Sequence, residues 1–316
     1  VYINFKTYKD VSNSIRSFIL CFKKTNLLFS INVLDNSFSL GSRKEIKDLI
    51  DFSKIYSDQQ FKISYIASDS NLGFGKGCNK AALYGKAKNI LFINCDTEFS
   101  TLNPEQFLVS LKMNDQNVVI LGPKIVASNG LLHASCFSFD PISIFLKPFR
   151  HIRKIGRISR LIPNYKWLKK RIDRITYEGL PKDKASYVDW VSGCFLLVNR
   201  KFFEEVGGFD DRYFLYFEDV DLCRSARQLS YSVIFDPRIK VIHKARHQSA
   251  SYKGILKSII FNVTARYHVS SWIKYIWKWR RDFIYKFLRK IGYYKKNGIT
   301  KNGLEKSDFS RFNEIP

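Results

Sequence analysis

The sequence predicts an α/β fold built on a parallel sheet with helices on both faces, with a basic helical extension at the C-terminal end. Two observations predict it. Short apolar runs alternate with segments of helical period through the first 121 residues. Polar residues also gather where those runs stop, as they do at the carboxyl ends of strands in such sheets.

Taken in order, Val1–Tyr8 reads as a first strand. Val11–Lys23 reads as a helix with apolar residues at 11, 15, 18, 19 and 22. Leu28–Leu34 is an apolar strand closed by Asp35-Asn36-Ser37. Arg43–Ile55 is a helix, Ile63–Ile66 a short strand and Gly77–Ala87 a helix. Ile90–Asn94 is a strongly apolar strand, residues 104–113 a helix, and Val118–Leu121 another buried strand. Residues 141–185 break the alternation, mixing Ile, Leu, Phe and Trp with Lys and Arg between Pro141, Pro148, Pro163 and Pro181. Alternation resumes with a strand at Tyr187–Val198, a helix at Lys201–Val206, and strand signals at Val233–Phe235 and Val241–His243.

Composition narrows the possibilities. A chain of 316 residues with 45% apolar and 16% aromatic content forms a sizeable core and is not disordered. No apolar run approaches the roughly 18 residues of a spanning helix, and the first residues read as a strand, so neither a membrane span nor a secretory signal is expected. Six cysteines without a C-x-x-C pair suggest reduced thiols in a cytosolic compartment. The net charge of +25 is unevenly placed. Residues 147–184 hold 13 basic and 3 acidic side chains, and residues 251–301 hold 13 and 1, so the rest of the chain is nearly neutral. Two basic appendages call for a partner with a dense negative surface: an anionic membrane, a nucleic acid or a phosphorylated substrate.

Three segments carry chemistry. Tyr213-Phe-Leu-Tyr-Phe-Glu-Asp-Val-Asp-Leu222 places Glu218, Asp219 and Asp221 directly behind an aromatic wall. Like charges at an apolar edge suit metal binding or proton transfer, though acids in a first helical turn also complement the helix dipole. Asn71-Leu-Gly-Phe-Gly-Lys-Gly-Cys-Asn79 leads into a helix, with glycines at alternate positions that either admit a ligand anion or allow close packing. Asn94-Cys-Asp96-Thr-Glu98 ends a buried strand, where Asp96 could meet a divalent cation or close an Asx turn. His243 stands at another strand end, as either a structural imidazole or a metal ligand, with His247 and Ser249 nearby.

In their order along the chain, these segments resemble the family 2 glycosyltransferases of the GT-A fold, and especially the rhamnosyltransferase-like branch. The resemblance implies a nucleotide-diphospho-sugar transferase, Rossmann-like architecture with a mixed, mostly parallel sheet flanked by helices. The likeness is sharpest at Asp189-Trp-Val-Ser-Gly-Cys-Phe-Leu-Leu-Val-Asn-Arg200 and from Glu205-Val-Gly-Gly-Phe-Asp through Cys223 to Pro237 and His243. It covers roughly residues 3–250, with 141–185 as a basic insertion and 251–316 as a basic extension. It implies that Asp219, beside Glu218, is the catalytic base of an inverting transfer, and that Asp96 and His243 bind Mg2+ or Mn2+. It implies a nucleotide pocket of Thr7, Tyr8, Asp35, Asn71, Gly73, Gly75, Gly77 and Asn94, with Trp190 and Gly193 bordering sugar and acceptor. Asp96 and Asp219 should then face opposite ends of one sugar–phosphate bond. Cys95 replaces a usual Pro, and the glycines often found after the histidine are missing.

The donor implied is a nucleoside-diphosphate sugar, with dTDP-rhamnose as the candidate, and the acceptor a lipid-linked or oligosaccharide hydroxyl. A nucleic-acid-binding protein is a weaker alternative: it suits the basic pI but leaves the acidic run unexplained, and no RNP or helix-turn-helix pattern is present. An inactive scaffold of the same fold is the third reading. From Trp272 an amphipathic helix is readable, with Trp272, Ile276, Trp279, Phe283 and Phe287 on one side and Lys274, Lys278, Arg281 and Arg289 on another. Such a helix suits an anionic membrane surface, which places the enzyme in the cytoplasm, peripheral on the inner face of the cell membrane.

Overall fold

Apolar side chains at alternate positions, two residues apart, can line only one face of a strand, so each short run above needs neighbours to pair with and helices to cover it. A computed structural model describes residues 1–37, 43–111, 117–139, 177, 179–244 and 262–290, with side chains to 282 in the last segment. Most of the predicted insertion at 141–185 and much of the extension at 251–316 lie outside the described residues, as do His247 and the side chains of Phe283, Phe287 and Arg289. The chain divides into two units, Val1–Trp272 and Ile273–Pro316.

The first unit is organised by one mixed sheet. Its parallel half comprises β3 (Phe61–Ala67), β2 (Phe29–Asp35), β1 (Tyr2–Asn4) and β4 (Asn89–Ile93) in that spatial order. β11 (Phe195–Asn199) then enters antiparallel between β4 and β6 (Val118–Val126). β12 (Ser232–His243) runs parallel to β6, and β5 (Thr97–Glu98) closes that edge antiparallel to β12. β7 (Leu132–His133) pairs with β6, β9 (Ser186–Val188) with β12, and β8 (Cys136–Phe137) with β10 (Trp190–Val191) in a separate ribbon. The helices of this unit are α1 (Tyr8–Phe22), α2 (Arg43–Ile55), α3 (Phe74–Ala82), α4 (Pro104–Leu111), α5 (Arg200–Glu205) and α6 (Glu218–Gln228). α7 (Val263–Lys290) begins in the first unit and continues into the second.

The core explains this arrangement. Phe18, Phe22, Phe61, Phe99, Phe107 and Phe195 bury together with Val11, Ile15 and Val33, so α1 covers the sheet with the apolar side read from its period. Phe18 meets Phe99 edge-on, with ring centroids 5.1 Å apart. Inside β12, Asp236 is fully buried at a register shift, where Arg238 grips it with two nitrogens at 2.9 and 2.7 Å. Burial alone would raise the Asp236 carboxyl, but the Arg238 and Ser110 hydrogen bonds outweigh it and hold the group below its usual range.

Several predicted boundaries shift, each for a local reason. The first strand is only Tyr2–Asn4, because the Asn4 side chain accepts from Thr7 N and Oγ1 at 3.0 Å and turns the chain into α1. α3 starts at Phe74, not at 77, because Gly73 adopts φ +78° at its N-cap. Tyr187–Val198 is not one strand but β9, β10 and β11, bent near Asp189 and Gly193. Val233–Phe235 and Val241–His243 are two ends of the single strand β12.

Candidate active site

The strand order sends four chain segments to one end of the sheet. β2 ends at Asp35, β4 ends before Asn94, β12 ends at His243, and the turn Ser192–Cys194 lies between β10 and β11.

Asp35 is a hub, not an open ligand. It is fully buried, and Oδ1 accepts from Asn4 Nδ2 at 2.9 Å and from Ser37 N and Oγ at 2.9 and 2.7 Å. Oδ2 accepts from the Tyr8 and Tyr65 hydroxyls at 3.1 and 2.8 Å. With five donors on two oxygens, Asp35 holds Tyr8, Ser37 and Tyr65 in place and offers no vacant acceptor to a nucleobase. Burial and the Asp35 carboxylate push the Tyr65 phenol well above its ordinary range, so it stays a donor. Asn4 and Tyr65 were not singled out from sequence, and Ser37 only as part of the strand-closing Asp35-Asn36-Ser37, because three separate strand ends must meet before their roles exist. Thr7 stands at the N-cap of α1, bonded to Asn4.

The glycine-rich segment also turns inward. Asn71 Oδ1 accepts from Gly73 N at 3.0 Å, an Asx turn. A Cβ on Gly73 would lie 2.2 Å from Phe214 O, whose carbonyl accepts from Phe74 N at 2.8 Å. Gly75 faces Phe209 and Glu218, and Gly77 faces Asn36 and Ile3, at 3.2–3.4 Å for the nearest atoms. Protein fills the space before each glycine, so close packing and not ligand approach demands them. Asn79 completes the seam, donating to Phe209 O at 2.7 Å and accepting from Phe209 N at 2.8 Å.

Trp190 is likewise internal, at 5% exposure and stacked 4.2 Å from Phe137, so it supports the site from beneath instead of bordering a sugar. Adjacent on the helix, Glu218 and Asp219 diverge. Glu218 is 6% exposed and packs toward Gly75 of α3. Asp219 is half-buried, with Oδ2 accepting from Gly193 N at 2.9 Å and Oδ1 from Val220 N at 2.8 Å. A Cβ on Gly193 would sit 3.0 Å from Asp219 Cβ, so this approach needs glycine. Asp221 turns inward, buried under the Tyr213 hydroxyl at 3.1 Å.

The bend before Asp219 is strained. Tyr216 and Phe217 take φ of +70° and +71°, left-handed values that cost non-glycine residues about 1–2 kcal/mol each. Sequence suggested a buried strand or turn here, and no glycine advertised a left-handed pair.

The polar pair sits across the same turn. His243 Nε2 lies 3.0 Å from Asp96 Oδ1 and 3.4 Å from Asn94 Nδ2. Pairing of His243 with Thr97 in β12·β5, and Lys244 N donating to Asp96 O at 3.1 Å, fix the turn. The Asp96 and His243 side chains are each about a fifth exposed, an oxygen and an imidazole donor suited to a divalent cation whose other ligands come from a diphosphate and water. Among the described residues no group of three or more His, Cys, Asp or Glu converges as a complete metal cage.

Cys194 links the two carboxylates. Gly193 N bonds Asp219, while Cys194 O accepts from Asn94 N at 2.9 Å and Thr97 Oγ1 at 3.3 Å. Burial pushes the Cys194 thiol up to about 12, and the Asp96 and Asp219 charges both add to the rise. Burial raises Cys95 to about 12 as well. All six cysteines are free thiols.

Comparison with known proteins returned relatives of one kind. No family model matches the chain. It is 29% identical over 205 residues to rhamnosyltransferase WbbL of Escherichia coli (strain K12), spanning 65% of this chain and 70% of that one. Over 62 residues it is 44% identical to the N-acetylglucosaminyl-diphospho-decaprenol L-rhamnosyltransferase of Mycobacterium tuberculosis (strain CDC 1551 / Oshkosh), a match spanning 20% of each chain. In fold it is similar to a mannosyltransferase of Pyrobaculum calidifontis solved with GDP-Man and Mn2+, with a TM-score of 0.50 and 10% identity over 84% of this chain and 67% of that one.

Proposed function

We propose that this chain, similar in sequence to rhamnosyltransferases and in fold to a mannosyltransferase, is an inverting, metal-dependent family 2 glycosyltransferase. It moves a sugar from a nucleoside-diphosphate donor, dTDP-rhamnose being the first candidate, to a hydroxyl of a lipid-linked or oligosaccharide acceptor. One observation carries the reading. The turn Ser192–Cys194 bonds Asp219 through Gly193 and the Asn94–Thr97 turn through Cys194, so a base and a cation-binding pair flank one short loop.

The residues divide the work. Asp219 takes the proton of the acceptor hydroxyl as its oxygen attacks the anomeric carbon, and the sugar–phosphate bond breaks on the opposite face, which inverts the configuration. The Gly193 and Val220 N–H groups hold the carboxylate in one orientation. Asp96 and His243 would hold Mg2+ or Mn2+, which neutralises charge on the departing diphosphate. Tyr65, Ser37 and Tyr8, fixed by Asp35, shape the wall at the adjoining strand ends. Glu218 acts from behind, between α6 and α3, and not as a second base.

A screen of nucleoside-diphosphate sugars with Mn2+ tests this reading. Thermal shift and release of nucleoside diphosphate are both measured, and one donor is expected to raise Tm and be consumed with the cation present. Equal response to all donors, or none, rejects the donor class.

We assign residues 1–250 to the catalytic domain and 251–316 to a basic extension that meets the membrane. Among the described residues no helix is long and apolar enough to cross a bilayer. Within the second unit, α7 exposes Ile273 (55%) and Trp277 (65%), and Arg280 lies 4.1 Å over the Trp277 ring. Trp279, expected on the outward apolar stripe, is 8% exposed instead. Exposed Trp and Ile among Lys274, Arg280 and Arg281 suit an anionic headgroup layer, at about 1 kcal/mol for each nearby basic residue. The lipid-diphosphate acceptor in the name of the mycobacterial relative fits that location, on the cytoplasmic face. The protein is expected to float with anionic vesicles, to be released by salt, and to ignore neutral vesicles. Equal flotation with both kinds removes the electrostatic assignment.

A further inference from the structure

The first turns of α7 touch the strained bend that delivers Asp219, and no part of the transfer chemistry accounts for that contact. His268 packs its ring against both left-handed residues, with centroids 4.6 Å from Tyr216 and 5.7 Å from Phe217. Tyr267 packs 4.4 Å from Phe214. Ser271, 2% exposed, donates its hydroxyl to Leu215 O at 2.9 Å. On its other side the same stretch is fixed by Phe74 N donating to Phe214 O at 2.8 Å.

We propose that His268 and Ser271 are positioning residues, which hold Tyr216 and Phe217 left-handed so that Asp219 meets Gly193 N. The inference rests on the reading of Asp219 as the base. Its physical basis is direct. A bulky residue in the left-handed region relaxes to negative φ unless its surroundings forbid it. Two such residues in a row, immediately before α6, set the direction in which that helix starts. Relaxation of either swings the first turn and moves the Asp219 carboxylate off the Ser192–Cys194 loop. Phe74 N resists this from one side through the Phe214 carbonyl, and α7 resists it from the other. The ring contacts of His268 and the hydrogen bond of Ser271 are made to the bend, so their effect on Asp219 passes through it.

Ser271→Ala, His268→Ala and His268→Phe, each in the full chain, test the proposal by hydrogen exchange of the 213–221 peptide and by turnover of the donor selected above. In His268→Ala and Ser271→Ala, exchange of that peptide should rise about tenfold while β2 and β4 peptides stay protected. Turnover should fall about tenfold with donor KM unchanged within about twofold, the split expected when only a transition-state group is misplaced. His268→Phe, which keeps a planar ring, should restore most of the turnover. Unchanged exchange overturns the clamp, and so does faster exchange with unaltered kcat or a loss that appears in KM alone. Asp219→Asn assayed alongside separates the two ideas: if it turns over normally, the base assignment fails, while exchange still decides whether α7 holds the bend.

Discussion

Asp219→Asn is expected to lower turnover by about 10²–10⁴-fold, the range that one positioned general base supplies. A thousandfold loss corresponds to about 4 kcal/mol of barrier. The substitution is nearly isosteric, so the donor should bind as before and a thermal shift by nucleoside diphosphate should survive. The local cost is calculable from geometry. In the parent protein each Asp219 oxygen accepts one backbone N–H, from Gly193 and from Val220. An amide offers one oxygen and one NH2, so one backbone donor faces another donor, at a cost of about 1–3 kcal/mol. A loss of Tm by several degrees is therefore compatible with the prediction, whereas turnover within about tenfold of the parent is not.

The same carboxylate shows where sequence stops informing. The alternation of strands and helices was legible because side-chain period is local: α1 matches its expected apolar face, and α2 matches its expected ends. The insertion of β11 antiparallel between β4 and β6 is a long-range event that no local pattern encodes. That insertion brings Cys194 to Asn94, a hundred positions away. The three glycines were legible as a constraint on the backbone, but not as to what presses on them. The atom nearest Gly73 belongs to Phe214, which is distant in sequence. Asp35 was legible as a strand-end acid, while its saturation depends on Tyr65 from the neighbouring strand. Trp190 was placed beside the sugar by the family resemblance alone; its partner Phe137 comes from a ribbon that sequence periodicity did not reveal. Tyr216 and Phe217 carry no signal at all for left-handed backbone, since only tertiary packing holds them there.

Asp96→Ala is expected to have the second large effect, and to have it without unfolding the site. The turn that carries Asp96 is held by backbone, with Thr97 N donating to Asn94 O at 3.1 Å, Lys244 N to Asp96 O at 3.1 Å, and β5 paired to β12. The side chain is a fifth exposed, so its truncation leaves no large cavity, and the change in stability should stay within about 1 kcal/mol. Its removal takes the only anionic member from the Asn94–Asp96–His243 set and leaves imidazole and amide alone. A cation and the diphosphate it accompanies should then bind together less well. The Mn2+ concentration for half-maximal turnover should rise at least tenfold and turnover at saturating donor should fall about 10²-fold. His243→Ala should act in the same direction but less, because it removes one nitrogen ligand and leaves the Asp96 carboxylate in place. The two substitutions combined should cost less than the sum of their separate effects, since both act on one bound ion. An Asp96→Ala protein whose Mn2+ titration overlays that of the parent would show that the cation, and the diphosphate with it, sits elsewhere.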